Sequence, residues 1–501
     1  MINPRKGLAT TNGSRLPSGS ASADRKQHQE DADLLEVVQA QADAIALDVS
    51  IARVDAGITP TAEQQAAIDG ALAFAKCGRG GNFASLIGPA GTGKSTIARL
   101  IRQALIAAGY TVGLAAPTHK AAEVLATACG VPKSCTATFA SLLALREKKV
   151  RDKVAFVRDY RRKPRIEEAD IWLCDEASML EPELLAMLEK EADFWDRFLF
   201  IGDDAQLPPV NYGKVSPALR FDQSFALTQV LRHDGAVLDA ATAIRKTTGN
   251  TWRPDFTETV IGEGSAIHAY ADKREWQHAI LEMAAEDPLG LNPDGFRVLC
   301  FRRDEVSRLN TAIRRHVYGR QADPFITGER LVTVEGIKDP HDPNGPPLYG
   351  SSRELVIQTA GQVDWLHPTC TDKKPYLVWR LLVLAEGPEE RPQVIKVIDP
   401  THEGKLAVAL RQLREEALAA LGEQGAWDPY WELRDSLAQV QPHWAMTVHK
   451  SQGSQFRHVF VNGPDLDTAP GARSQRRHLW YTALTRAQQA VHLIADQEVQ
   501  G

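Results

Sequence analysis

The stretch that decides the fold is Ser85-Leu86-Ile87-Gly88-Pro89-Ala90-Gly91-Thr92-Gly93-Lys94-Ser95-Thr96-Ile97. A short apolar run ends in a glycine-rich turn. The turn opens a segment of helical spacing that reaches Ala108. Gly88 to Ser95 fits G-x-x-x-x-G-K-[ST], and a strand before it with a helix after it is the context in which that pattern means a phosphate cradle. Glycines let backbone N–H groups wrap an anion, and a helix N-terminus adds partial positive charge. In such a loop Lys94 reaches the β- and γ-phosphates and Ser95 offers its hydroxyl to Mg²⁺. A chance glycine-rich turn is the alternative, and strand, full motif and helix together count against it.

The same rhythm continues on both sides. Apolar runs at Phe83–Ile87, Thr111–Ala115, Ile171–Cys174 and Phe198–Ile201 each precede a turn and a helix-like segment. A second set follows at Arg297–Phe301, His458–Val461 and Val491–Ile494. This alternation predicts an α/β fold of two lobes with parallel sheets and crossover helices. From about Tyr318 to Gln441 the chain is rich in Pro, Gly, Trp and Tyr, with β-like runs at Leu377–Leu384 and Gln393–Ile398. It reads as a small β-rich insertion splitting the second lobe. A basic segment, Arg146 to Arg165, interrupts the first. The expected organisation is a disordered tail and acidic helix over 1–56 and a first lobe over 57–230. The second lobe is expected over 231–320 plus 440–501, with the insertion over 321–439.

Composition sets the outer limits. The chain has 501 residues, 43% of them hydrophobic and 24% charged, enough for about three domains with real cores. No apolar run approaches the ~18 residues of a membrane span, and no signal-peptide order is present. Six cysteines without a C-x-x-C pair argue against a disulfide framework or a cysteine zinc site. An intracellular, cytoplasmic protein is expected. The net charge of −6 excludes a simple basic nucleic-acid coat. It does not exclude a local basic channel, because affinity follows the patch that meets phosphate.

Two further segments carry chemistry. Asp175-Glu176 ends the run Ile171–Cys174, where a second magnesium ligand and a water-activating carboxylate belong. Alone, the pair reads equally well as an N-cap. Gly202-Asp203-Asp204-Ala205-Gln206-Leu207-Pro208-Pro209 follows Phe198–Ile201, and Gln206 could sense a γ-phosphate. A Gly-Asp turn is the bland alternative.

These three segments, in this order, resemble motifs I, II and III of superfamily 1 helicases. Ala116 to Ala122 (with Pro-Thr-His) resembles motif Ia, and Thr136 to Leu143 resembles motif Ib. Leu227 to Arg232 resembles motif IV, Thr447 to Phe456 motif V, and Trp480 to Ala487 motif VI. Thr61-Ala62-Glu63-Gln64 resembles the Gln motif. The match runs from about Thr59 to Ile494, and His-Lys-Ser-Gln-Gly in motif V points to the RecD/Dda-like branch.

The resemblance implies a DNA helicase that uses ATP and Mg²⁺ and moves 5′→3′ on single-stranded or forked DNA as a monomer. Proteins of replication or repair are among the partners it brings with it; no membrane is. It places Gln64 at the adenine. It places Gly88, Pro89, Ala90, Gly91, Thr92, Gly93, Lys94, Ser95 and Thr96, with Gly453 and Gln455, around the nucleotide. Ser95 and Asp175 would hold the metal. Glu176 would activate water, Gln206 would contact the γ-phosphate or that water, and Arg232 and Arg486 would be arginine fingers. Motif V usually carries Glu at the Gln455 position, so the ribose contact here lacks a charge. Thr118, His119, Thr138, Thr447, His449 and Lys450 would face the strand. Phe139 and Trp444 lie beside those segments, as base-stacking rings or as core. The basic segment coincides with the family's strand-separating pin, with a solvated hairpin as the alternative. The insertion resembles the family's small β-barrel-like, SH3-like subdomain, with Trp365, Tyr376 and Trp379 as its core. A protein-displacing translocase and a non-catalytic P-loop loader are the competing functions. The complete set of catalytic side chains speaks against the second.

Overall fold

The computed structural model describes residues 59–495 apart from 77–80, 211, 230–234, 248–255, 263, 340–346, 369–373, 387–389, 421–422, 424 and 472. The expected tail and acidic helix, and Arg232, lie outside the described residues. The described residues fall into two compact units. One comprises those within Met1–Arg146, Arg158–Asp204 and Pro208–Arg232. The other comprises Glu147–Val157, Ala205–Leu207 and those within His233–Gly501.

In the first unit the longer helices are α1 (Ala62–Lys76), α2 (Lys94–Ala107), α3 (His119–Cys129) and α4 (Pro182–Glu191). The strands are β1 (Phe83–Ile87), β2 (Val112–Ala116), β3 (Thr136–Thr138), β6 (Ile171–Cys174), β7 (Arg197–Gly202) and β8 (Ser224–Ala226). Between β3 and β6 a hairpin of β4 (Leu145–Val150) and β5 (Lys153–Arg158) forms its own two-stranded sheet. The six remaining strands form one parallel sheet in the order β3-β2-β6-β7-β1-β8.

Side chains alternate across a strand, so a strand buried on both faces must be apolar throughout. The runs obey this. Ile171, Leu173, Leu199 and Ile201 point to one face, where they pack with Ile97, Ile101 and Phe74. Trp172, Cys174, Phe198 and Phe200 point to the other, with Leu185 and Leu188 of α4. On that second face the rings of Phe83, Phe198, Phe200 and Phe221 stack with centroids 5.4–6.4 Å apart.

The second unit repeats the plan with α5 (Ala236–Lys246), β9 (Val260–Ile261), β10 (Ala266–Tyr270), α6 (Lys273–Glu286), β11 (Phe296–Cys300) and α7 (Arg303–Tyr318). It resumes later with β17 (Ala445–Thr447), β18 (Phe456–Val461), α10 (Arg473–Leu484) and β19 (Ala487–Ile494). The sheet order is β17-β11-β18-β19-β10-β9, parallel except for β9. Leu299, Val459, Val461, Val491 and Leu493 face α5 and α10, while Val298, Cys300 and Phe460 face α6 and α7.

Between α7 and β17 lies an antiparallel sheet of β12 (Arg330–Thr333), β13 (Glu354–Trp365), β14 (Tyr376–Ala385), β15 (Gln393–Ile398) and β16 (Val440–Pro442). The Ala438 N–H donates to the Lys396 carbonyl at 2.7 Å, which brings the segment before β16 onto β15. Tyr376 and Trp379 are buried in this region, as expected of core rings. The region is less purely β than the Pro- and Gly-rich composition suggests. It also holds α8 (Glu403–Ala419) and α9 (Asp428–Asp435). The residues of α8 are mostly Ala, Leu, Glu, Arg and Gln, all strong helix formers.

Those two helices receive the tip of the β4–β5 hairpin. Trp431 of α9 donates its indole N–H to the Arg151 carbonyl at 2.8 Å. The Lys149 ammonium lies 5.0 Å above the Trp431 ring and 2.6 Å from Asp435. Arg414 of α8 reaches Asp152 at 3.1 Å.

Three imidazoles meet on the α6 side of the second sheet. His492 Nδ1 lies 2.9 Å from the Tyr270 hydroxyl and its Nε2 3.1 Å from His458 Nδ1. The His268 and His492 rings stack at 4.8 Å. Burial first, then the neighbouring His268 and His458, pushes His492 down to about 3. His458 is lowered by burial, His268 and Arg457 against the pull of Glu286. Glu282 is the further charge near Tyr270. At His458 and His492 the unfolded chain takes up a proton near pH 6.5 and the folded one only at lower pH. The stabilisation is therefore complete above pH 6.5 and is lost as pH falls, by at most ~1.4 kcal/mol per unit for each imidazole. Thermal melting between pH 8 and 5 should show this acid limb, and His492→Phe should flatten it. An identical limb in the variant would contradict the assignment.

Candidate nucleotide site and strand-facing residues

The phosphate loop joins β1 to α2. Gly91 and Gly93 have φ of 84° and 80°, in the left-handed region that side-chain-bearing residues rarely adopt. A Cβ on Gly88 would lie 2.7 Å from the Thr92 hydroxyl, so the loop's close approach also requires glycine there. Lys94 donates to the carbonyls of Gly88 and Pro89, both at 2.9 Å, and so holds its ammonium over the loop. Ser95 and Thr96 follow in the first turn of α2. Gln64 braces the loop from behind. Its amide oxygen accepts from Thr61 N at 3.0 Å and its Nε2 donates to the Thr92 carbonyl at 3.3 Å.

Asp175 and Glu176 follow β6. Asp175 accepts from the Glu176 N–H at 2.8 Å. Burial first, and the adjacent Glu176 second, pushes the Asp175 carboxyl up to about 7, while Lys94 pulls it back. The Asp175 carboxylate and the Ser95 hydroxyl are oxygen donors of the kind that suit Mg²⁺. Glu176 sits at φ 51°, ψ 37°. A left-handed non-glycine backbone costs of order 1–2 kcal/mol, and such strain gathers where side chains must be aimed.

Glu63 was not singled out in the sequence, yet it organises the end of this unit. Its carboxylate accepts from the Thr228 N–H at 2.7 Å, the Gln229 N–H at 2.9 Å and the Thr228 hydroxyl. It thereby holds the segment that leads towards Arg232. Only its place beside Gln64 could have signalled it.

In the second unit Arg486 follows α10. Its guanidinium donates to Thr482 O at 3.2 Å, Ser454 O at 3.3 Å and the Thr485 hydroxyl at 3.3 Å. Gly453 has φ 75°, and Gln455 accepts from the Gln488 amide at 3.5 Å. Ala205, Gln206 and Leu207 also belong here by their contacts. Gln206 is 5% exposed and its Oε1 has no hydrogen-bond partner among the described residues.

The residues expected to face a strand divide. Thr118 and Thr138 both act as N-caps, accepting from the N–H groups of Ala121 at 3.2 Å and Ser141 at 3.1 Å. His119 opens α3 and is exposed. Phe139 is 2% exposed inside the core, so of its two readings the core one applies and it does not face the strand. Trp444 is likewise fully buried, so of its two readings the core one applies. Thr447 ends β17, followed by His449 and Lys450. The His449 ring lies 6.2 Å from Phe301. Lys450 donates to the Val334 carbonyl at 2.6 Å, and burial and the nearby Arg303 push it down to about 8. On the basic segment Tyr160 is 91% exposed and Phe156 half exposed.

Comparison with known proteins follows the same division. An AAA domain family model matches residues 59–268, and a UvrD-like helicase C-terminal domain model matches 442–494. The chain is 26% identical over 427 residues to the ATP-dependent DNA helicase Dda of Enterobacteria phage T4, covering 81% of this chain and 93% of the relative. It is 33% identical over 173 residues to the ATP-dependent RecD2 DNA helicase of Deinococcus radiodurans, covering 34% and 21%. A crystal structure of a Bacteroides Pif1 helicase with ADP-AlF3 and ssDNA aligns over 87% of this chain and 92% of its own, at 15% identity and TM-score 0.44. The ordered motifs, the two matched regions and the near-complete span of the phage relative agree in what the chain is similar to: the superfamily 1 helicases of the Dda and RecD kind.

Proposed function

We propose that the protein is an ATP-dependent DNA helicase that translocates 5′→3′ on single-stranded DNA and parts the duplex on its hairpin. The phosphate loop carries this reading. Positive-φ glycines, an ammonium held over the loop and a carboxylate pair after β6 are an apparatus for cleaving a nucleoside triphosphate. Lys94 and the loop N–H groups bind the β- and γ-phosphates. Ser95 and Asp175 would hold Mg²⁺, which when bound neutralises charge on the phosphate oxygens. Glu176, aimed by its left-handed backbone, takes the proton of the attacking water. Gln206 orients that water or the γ-phosphate. Arg486, and Arg232 outside the described residues, supply positive charge as the transition state spreads its own. Gln64 and Gln455 contact base and ribose.

His119, Thr447, His449 and Lys450 grip the strand through its phosphates, a sequence-neutral contact. The hairpin is the wedge. Its tip is already tied to Trp431, Asp435 and Arg414, so a duplex pressing on it meets a braced element. Lys149 is engaged in that brace and Arg162 lies 3.7 Å from Asp159; the cations offered to DNA are Lys148, Arg161, Lys163 and, from its weak pair, Arg162.

Phosphate release in the presence of oligothymidylate tests the catalytic roles. Glu176→Gln should keep ATP binding and lose turnover by roughly 10²–10⁴-fold. Lys94→Ala should lose both, and DNA-stimulated turnover that survives in either variant would contradict the assignments. Trp431→Ala should slow unwinding severalfold while leaving single-strand-stimulated ATPase near the parent's. Equal losses in both assays would remove the brace from the mechanism. Replacing Lys148, Arg161, Arg162 and Lys163 by Ala should lower the log–log salt slope of single-strand binding by ~0.7 per lost phosphate contact. An unchanged slope would make the segment solvated surface.

A further inference from the structure

The strand that leads to Gln206, β7, belongs to the first unit, but Gln206 takes its place from the second. Three side chains of the second unit grip the main chain on either side of it. The Leu207 N–H donates to the Thr482 hydroxyl at 2.9 Å. The Leu207 carbonyl accepts from Gln452 Nε2 at 3.3 Å. The Ala205 carbonyl lies 2.7 Å from His478 Nδ1, and because a carbonyl only accepts, that nitrogen carries the proton. The Leu207 side chain packs into the same core as Val448, Leu479 and Tyr481. Thr482 is fully buried.

The grip is on the backbone alone, so it fixes the Gln206 Cα without using its side chain. Its amide oxygen is buried and has no hydrogen-bond partner among the described residues. A buried polar atom in that state costs about 1–3 kcal/mol and calls for an explanation. A ligand that reaches it only during turnover is one. Thr482 also serves Arg486, whose Nε–H donates to its carbonyl at 3.2 Å. One residue therefore orients the segments of two groups assigned to the γ-phosphate.

We propose that Thr482, with Gln452 and His478, is a positioning residue that sets Gln206 for hydrolysis and ties its placement to that of Arg486. This rests on the reading of Gln206 given above. The test is DNA-saturated ATP hydrolysis by four variants: Q206A, T482V, T482S and the pair Q206A/T482V. T482V removes the hydroxyl at nearly constant shape, and T482S keeps it. T482V should lower kcat roughly tenfold or more, since small misplacements of a reacting group are expensive, and shift the KM for ATP by less than about threefold. T482S should recover most of the loss. The pair should be no slower than Q206A alone, because the two act as one unit. H478A should lower kcat in the same direction, with H478Q, which retains a donor, recovering part. That second set decides the matter if T482V fails to fold. Wild-type kcat in T482V while Q206A is slow overturns the positioning role alone. Losses that multiply in the pair, or T482S no better than T482V, overturn it as well. Wild-type kcat in Q206A overturns the assignment of Gln206 and the purpose of the grip with it.

Discussion

Parallel strands impose the constraint on which the rest depends. When neighbouring strands run the same way, every loop that follows a strand leaves the sheet at the same edge. In the first unit that edge collects the phosphate loop after β1, Thr118 after β2, Thr138 at the end of β3, Asp175 and Glu176 after β6, and Asp203 after β7. In the second it collects Phe301 after β11 and His449 and Lys450 after β17. Residues far apart in sequence thus share one rim because the hydrogen-bond direction of the sheet leaves no other place. The two-sided apolar cores exist to hold that rim in register.

Legibility in the sequence followed the same physics. Runs such as Ile171–Cys174 are apolar at every position because both faces are covered, and their ends give away the loops that carry the motifs. Phe139 shows where the sequence leaves two readings open. A motif fixes where its backbone goes, but not whether a neighbouring ring turns outward or into the core, which depends on the space left by Trp172 and Leu219. Glu63 was hidden for another reason. Its partner Thr228 lies 165 residues on, and no local pattern announces so distant a hydrogen bond. The helices within the insertion were masked by the Pro, Gly and aromatic content of the strands around them.

Buried charge fixes the insertion on the second unit. Arg297 on β11 is fully buried and meets Glu354 of β13 at 2.7 Å, and the same carboxylate meets Arg330 of β12 at 3.1 Å. Arg314 of α7 holds the buried Glu329 at 2.8 Å. Such pairs add little net stability, but removing one partner costs about 3–5 kcal/mol, so they select one arrangement over others. The helices α8 and α9 that receive the hairpin tip grow from this fixed base. The contacts of the hairpin tip are therefore continuous with the core of the second unit.

The most direct test of ATP-driven strand separation is unwinding of matched duplexes carrying a single-stranded tail on the 5′ or the 3′ side, with ATP hydrolysis followed in the same reactions. Rapid unwinding of the 5′-tailed duplex alone, dependent on ATP, is the predicted result. Unwinding confined to the 3′-tailed duplex, or brisk hydrolysis with neither duplex opened, would contradict it.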